Sequence, residues 1–232
     1  SPIALAITPD GARVVTANQT AGSVSLVDSR QGKVLDELRT GDRPAGVAIT
    51  PDGKVAVVTH WYGYDMVLLE VEGHRLIERG RVEVGPEPRG VALTPDGRTA
   101  YVALGVANEI VRVDLSSRKV TGRLQTGREP RQLALSRDGV RLLVGVSRGQ
   151  NLTLIRVSDF QIERVVNVDG DNLRQVAISH DGRTGFVVNM RNRGFATTRN
   201  NIDQGWVLGQ RLTRVALEET SPYETITLDP QG

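Results

Sequence analysis

Apolar and polar positions alternate along this chain with a period of two, in short runs broken at regular intervals by turn residues. In the stretch from Pro88 to Gly127, Val91 and Leu93 alternate with small or polar neighbours. A Pro-Asp-Gly turn follows, and Ala100 to Ala103 resume the alternation. Ile110, Val111 and Val113 form a third run, Asp114 to Lys119 a polar turn, and Val120 to Leu124 a fourth run. Period-two runs bounded by Gly, Pro and Asp predict strands joined by hairpins, and no long stripe of 3.6-residue period competes with that reading. The unit predicted is therefore four short antiparallel strands.

The unit recurs. ITPDG stands at 7–11 and again at 49–53, LTPDG at 93–97, LSRDG at 135–139 and ISHDG at 178–182, and LDPQG closes the chain at 228–232. Proline presets φ, aspartate bonds its own backbone and glycine accepts positive φ, so the phrase encodes a turn by mechanism. The glycines at 11, 53, 97, 139, 182 and 232 lie 42, 44, 42, 43 and 50 residues apart. Four-stranded units of that period predict an all-β fold of β-propeller blades. The expected repeats are about 3–45, 46–88, 89–130, 131–173 and 174–220 in one domain spanning 1–232. A strand from Tyr223 to Leu228 is expected to open a sixth.

After each turn glycine a tetrad returns: VTAN at 15–18, VVTH at 57–60, YVAL at 101–104, LVGV at 143–146 and FVVN at 186–189. With the Pro-x-Gly-Val-Ala entry at Pro88 to Ala92, these resemble the YVTN family of WD40-like β-propeller repeats. The resemblance covers nearly the whole chain and rests on turn and strand residues, so it speaks to fold more than to activity. It implies a bacterial protein of the periplasm or cell exterior and a ring of seven blades, of which about five would be present as a fragment.

Composition narrows the chemistry. The 232 residues are 39% hydrophobic, enough to bury cores between stacked blades. With 29 Lys and Arg against 27 Asp and Glu, and 4% aromatics, neither a basic stripe nor a set of stacking platforms points to nucleic acid. Zero cysteines leave no disulfide, no zinc–cysteine site and no covalent haem attachment within these residues. His60, His74 and His180 fall at unrelated repeat positions, so no metal site is predicted. No apolar membrane span is present.

Three groups of candidate site residues remain, all on the connections that share one end of a blade. Arg89, Arg131 and Arg174 occupy one repeat position, and guanidiniums grouped there would hold a small carboxylate or phosphate; pairing with Glu87, Glu129 or Asp171 is the structural alternative. His60, Trp61 and Tyr62 open a loop dense in aromatics with polar tips, which favours a ligand pocket or interface; an outer-edge cap is the alternative. The long spacing of the last repeat predicts an insertion of about seven residues between its second and third strands, within 189–215, carrying Arg191, Arg193, Arg199, Asn200, Asp203 and Trp206 for a partner.

That insertion also resembles a Gly-Trp-containing segment of bacterial propellers joined to c-type cytochrome domains. The resemblance implies haem c in a domain downstream of Gly232. No catalytic constellation is predicted in these residues. The leading expectation is a non-catalytic scaffold or binding module presenting loops to a protein partner or an attached redox domain. An enzyme module, either a lactonase-like hydrolase or the propeller part of a haem- or quinone-linked oxidoreductase, and a cell-surface adhesion spacer are the alternatives.

Overall fold

A computed structural model describes residues 1–170, 172–192, 197–200, 208–218 and 224–228. Among these described residues twenty strands form five four-stranded antiparallel sheets, each pairing in chain order. Blade one holds β1 (Pro2–Ile7), β2 (Arg13–Asn18), β3 (Ser23–Asp28) and β4 (Val34–Arg39). Blade two holds β5 (Pro44–Ile49), β6 (Val55–His60), β7 (Asp65–Glu72) and β8 (Arg75–Glu83), and blade three β9 (Pro88–Leu93), β10 (Thr99–Leu104), β11 (Glu109–Asp114) and β12 (Lys119–Gln125). Blade four holds β13 (Pro130–Leu135), β14 (Arg141–Val146), β15 (Asn151–Arg156) and β16 (Gln161–Asn167). Blade five holds β17 (Val176–Ile178), β18 (Thr184–Asn192), β19 (Leu208–Ala216) and β20 (Glu224–Thr227).

The chain forms two compact units, Ser1–Gln125 with blades one to three and Thr126–Gly232 with blades four and five. Within each, the core is a layer between facing sheets. Val15, Ala17, Val24 and Leu26 of blade one meet Ala56, Val58, Val67 and Leu69 of blade two. The opposite face of blade two sends Val57, Met66 and Leu68 against Ala100, Val102, Val111 and Val113 of blade three. In the second unit Leu143, Leu152 and Leu154 pack on Val176, Val187 and Val215. Middle strands apolar on both faces are what a doubly covered sheet requires, and β6, β10 and β14 are buried at every position after the first.

The Pro-Asp-Gly turns are held by more than backbone preference. In blade three the Thr94 hydroxyl donates to Asp96 Oδ1 at 2.5 Å and accepts the Thr99 N–H at 3.0 Å, while Asp96 accepts the Arg98 N–H at 3.0 Å. The same three bonds recur at Thr8, Thr50, Ser136 and Ser179. Each turn glycine has φ between 68° and 73°, a region open to glycine and costly for other residues.

Two expectations about the end of the chain are corrected. Of the run expected to open a sixth unit, Glu224–Thr227 forms β20 and pairs with β19 instead, Thr225 facing Thr213 and Ile226 facing Leu212, and the Leu228 N–H donates to Gln210 O at 2.9 Å. It is the outer strand of blade five, because the strand before it lacks its fourth partner until there. The insertion lies between β18 and β19 as expected, but it is longer than about seven residues. Thr184 pairs with Ala216 where, in blade three, Thr99 pairs with Asp114, so the spacing from Gly182 to Gly232 understates the insertion.

Candidate functional site

In blades two, three and four, at the end opposite the Asp-Gly turn, the segment before the first strand meets the turn between the second and third strands. One backbone bond joins them repeatedly. The Trp61 N–H donates to Arg43 O at 2.9 Å, the Gly105 N–H to Glu87 O at 3.0 Å and the Ser147 N–H to Glu129 O at 2.9 Å. Arg43, Glu87 and Glu129 hold left-handed φ of 56°, 52° and 60°, each about 1–2 kcal/mol uphill for a residue with a Cβ. Asn172 holds φ of 52° before blade five. The following prolines, Pro44, Pro88 and Pro130, then start the inner strands.

On this frame blade two builds a layered cluster. His60, the last residue of β6, is fully buried. Its Nδ1 lies 2.8 Å from Asp65 Oδ1 and its Nε2 3.0 Å from Thr40 Oγ1. Arg81 Nη1 donates to Asp65 Oδ2 at 3.1 Å and its Nη2 to Thr40 O at 2.5 Å. Burial alone would raise the Asp65 carboxyl, but the hydrogen bond and charge of His60 and then of Arg81 outweigh it and hold it below its ordinary range. The network ties the connection at Thr40 to the turn at Asp65.

Above that base, Trp61 and Tyr62 pack with ring centroids 5.1 Å apart. The Arg89 guanidinium lies 3.6 Å from the Trp61 centroid, and Arg43 lies 4.7 Å from Tyr62 and 5.7 Å from Trp61. Arginine over an aromatic face is attracted by the ring quadrupole. Arg89 also pairs with Glu87 at 3.3 Å. Tyr62 and Tyr64 are exposed by 52% and 54%, and the indole N–H of Trp61 is buried without an acceptor among the described residues. A cavity of about 570 Å³ adjoins Arg43, lined also by Gln19, Thr20, Arg39 and Asp42.

The structure sorts the sequence candidates as follows. Trp61, Tyr62 and Arg89 come together, and the aromatics sit at the turn between the two middle strands rather than capping an outer edge. His60 is not at a ligand surface: both ring nitrogens are engaged and the side chain is sealed. Arg131 lies in the second unit, bonded to Glu129 through Nε at 2.8 Å and to Asn172 Oδ1 through Nη1 at 3.1 Å. Arg174 is exposed, its backbone N–H bonding Val188 O at 3.0 Å. In the insertion Arg191 falls in β18 opposite Gly209, and Arg199 and Asn200 are exposed. Arg193, Asp203 and Trp206 lie outside the described residues, as does Asp171.

Sequence reasoning missed Arg43, Thr40 and Arg81. The first could have been found from its place before a strand-opening proline, the position Glu87 and Glu129 share. The others had no signal, since their meeting depends on strand register.

No protein-family model and no curated protein sequence matches the chain. Among solved structures 1671 chains match, a breadth that marks a widely used fold and leaves activity to be argued from the site. One is a chain of hydrazine synthase from Kuenenia stuttgartiensis, with a TM-score of 0.89 and 25% sequence identity. The likeness covers 98% of this chain and 66% of that one, so the chain spans less than two thirds of its neighbour's length. The chain is a β-propeller module. Among the described residues no helix is long and apolar enough to cross a membrane.

Proposed function

We propose that this module is a non-catalytic binding scaffold of an extracytoplasmic bacterial protein, using the loop end of its blades to hold a protein partner or an attached redox domain. The observation that carries the reading is the Arg43–Tyr62–Trp61–Arg89 cluster. Tryptophan, tyrosine and arginine dominate the energetics of protein interfaces, because each buries a large apolar surface and keeps a polar group to satisfy. The cluster is fastened from beneath by His60, Asp65 and Arg81, so little ordering would be left for the partner to impose.

The likeness to a chain of hydrazine synthase supports a role as one module of a larger enzyme assembly. The compartment follows the YVTN resemblance, and a haem-c domain is the redox partner implied by the resemblance of the insertion. Having no cysteine, the chain would bring no covalent haem attachment of its own. A hydrolase would need a base reaching the cavity, and His60, with both nitrogens engaged, offers none at this cluster.

The test compares proteins retained by the immobilised chain and by Trp61→Ala and Tyr62→Ala from an extracytoplasmic extract of the source organism, quantified by mass spectrometry. The reading expects a defined protein retained at least tenfold less by both variants, in line with loss of an interface anchor. An identical set on all three columns would end it.

A further inference from the structure

The unit Thr126–Gly232 carries a second, chemically different site at its loop end. A cavity of about 410 Å³ is lined by Arg128, Arg131, Ser147, Arg148 and Asn172. Two of the arginines are preset by one carboxylate. Arg131 donates Nε and Nη2 to Glu129 Oε1, and Arg148 Nε pairs with Glu129 Oε2 at 2.7 Å. Arg131 Nη1 is fixed on Asn172 Oδ1 at 3.1 Å. The backbone closes the frame, Ser147 N–H to Glu129 O at 2.9 Å and Arg148 N–H to Arg128 O at 3.1 Å.

Charge decides what this frame suits. Three arginines line the cavity and one carboxylate, that of Glu129, 15% exposed, bridges two of them, Arg131 and Arg148. Among the described residues at the cavity, two positive charges are left over, and the lining also offers the Ser147 hydroxyl and the Asn172 side chain. Guanidinium forks match oxyanions in shape, and forks already held in place lose less freedom on binding. The cavity of the first unit differs: Asp42 stands among its lining groups beside Arg39, and Arg43 leans on Tyr62.

We infer that the Arg128–Arg131–Arg148 pocket binds a small dianionic oxyanion of the phosphate class. The two excess positive charges select a dianion over a monocarboxylate, and the volume admits a phosphate group. This site is independent of the aromatic cluster and of the partner reading built on it.

Calorimetric titration of the whole chain with inorganic phosphate at low ionic strength tests it. Saturable one-site binding is expected, with sulfate competing and acetate at least tenfold weaker. Arg128→Ala and Arg148→Ala, both at exposed side chains, should each weaken phosphate about tenfold, the value of one charge-assisted contact, while Arg43→Ala and Trp61→Ala leave it unchanged. Protection of Arg148 from phenylglyoxal by phosphate gives a readout that needs no variant. Absence of saturation in the millimolar range, equal weakening by Arg43→Ala, or absence of protection overturns the inference.

Discussion

The two ends of each blade are built on opposite rules. At the Pro-Asp-Gly end, five blades repeat the same hydroxyl–carboxylate–amide bonds with only a Thr-to-Ser exchange. At the loop end the backbone bond recurs at Trp61, Gly105 and Ser147, yet the sixth residue of the second strand is Asn18, His60, Leu104, Val146 or Asn189. Repetition marks what every blade needs in order to fold. Divergence on a shared frame marks where blades can differ in what they bind, aromatic and cationic in blade two, densely cationic in blade four.

A glycine replacement breaks the comparison most sharply. At Gly97 φ is +68° and a Cβ would lie 3.3 Å from Pro51 Cδ of the neighbouring turn, so Gly97→Val combines left-handed strain with a β-branched side chain. A loss of about 2–3 kcal/mol in urea unfolding is expected. Gly105 at the loop end has no positive φ, and its added Cβ would meet the carboxylate end of Glu87 at 3.0 Å, a flexible group that can move. Gly105→Ala should cost less than about 1 kcal/mol. Equal losses would mean that both ends are equally constrained.

The same contrast explains how much of the molecule its sequence disclosed. Strands and blades were legible because the turn phrase is local: Thr94, Asp96 and Gly97 interact within a few residues, and alternation between turns is a property of the chain itself. Even there, the hydroxyl acting as second cap went unread. The sites were legible only as residue types. Arg89, Arg131 and Arg174 share a repeat position, but one stacks on Trp61, one is clamped by Glu129 and Asn172, and one is exposed. Arg128 and Arg148, twenty residues apart in sequence, join only through the pairing of β14 with its neighbours.

His60 gives the next smaller effect. Blade three carries Leu104 at this position, fully buried without a polar partner, so His60→Leu asks whether blade two could do the same. It would leave the Thr40 hydroxyl, at a residue 2% exposed, and one Asp65 oxygen without their partner. A cost of about 1–3 kcal/mol is expected for such stranded groups. Fluorescence of Trp61 should shift as well, because the turn it sits on loses its anchor. A variant as stable as the parent, with unchanged emission, would show that the network only fills space.

Acid should separate the two ends least. Asp10, Asp52, Asp96, Asp138 and Asp181 all lie below the ordinary carboxylate pKa of 3.8, chiefly through the hydroxyl bond from Thr or Ser and next through the backbone N–H two residues on. A group whose pKa is lower folded than unfolded stabilises when ionised. That contribution is fully present above about pH 3.8 and is lost as pH falls through the folded pKa. Because these carboxylates are exposed and screened, each matters little, and the melting temperature should be flat from pH 7 to about 4.5 and decline below. Thr94→Val removes the largest cause of the Asp96 shift together with the bond to the Thr99 N–H. Its penalty, below about 1 kcal/mol at pH 7, should shrink towards pH 2 as the Asp96 carboxylate it once bonded becomes protonated in the parent too. A penalty independent of pH would assign the cap to the amide bond alone and leave the aspartate as a turn former only.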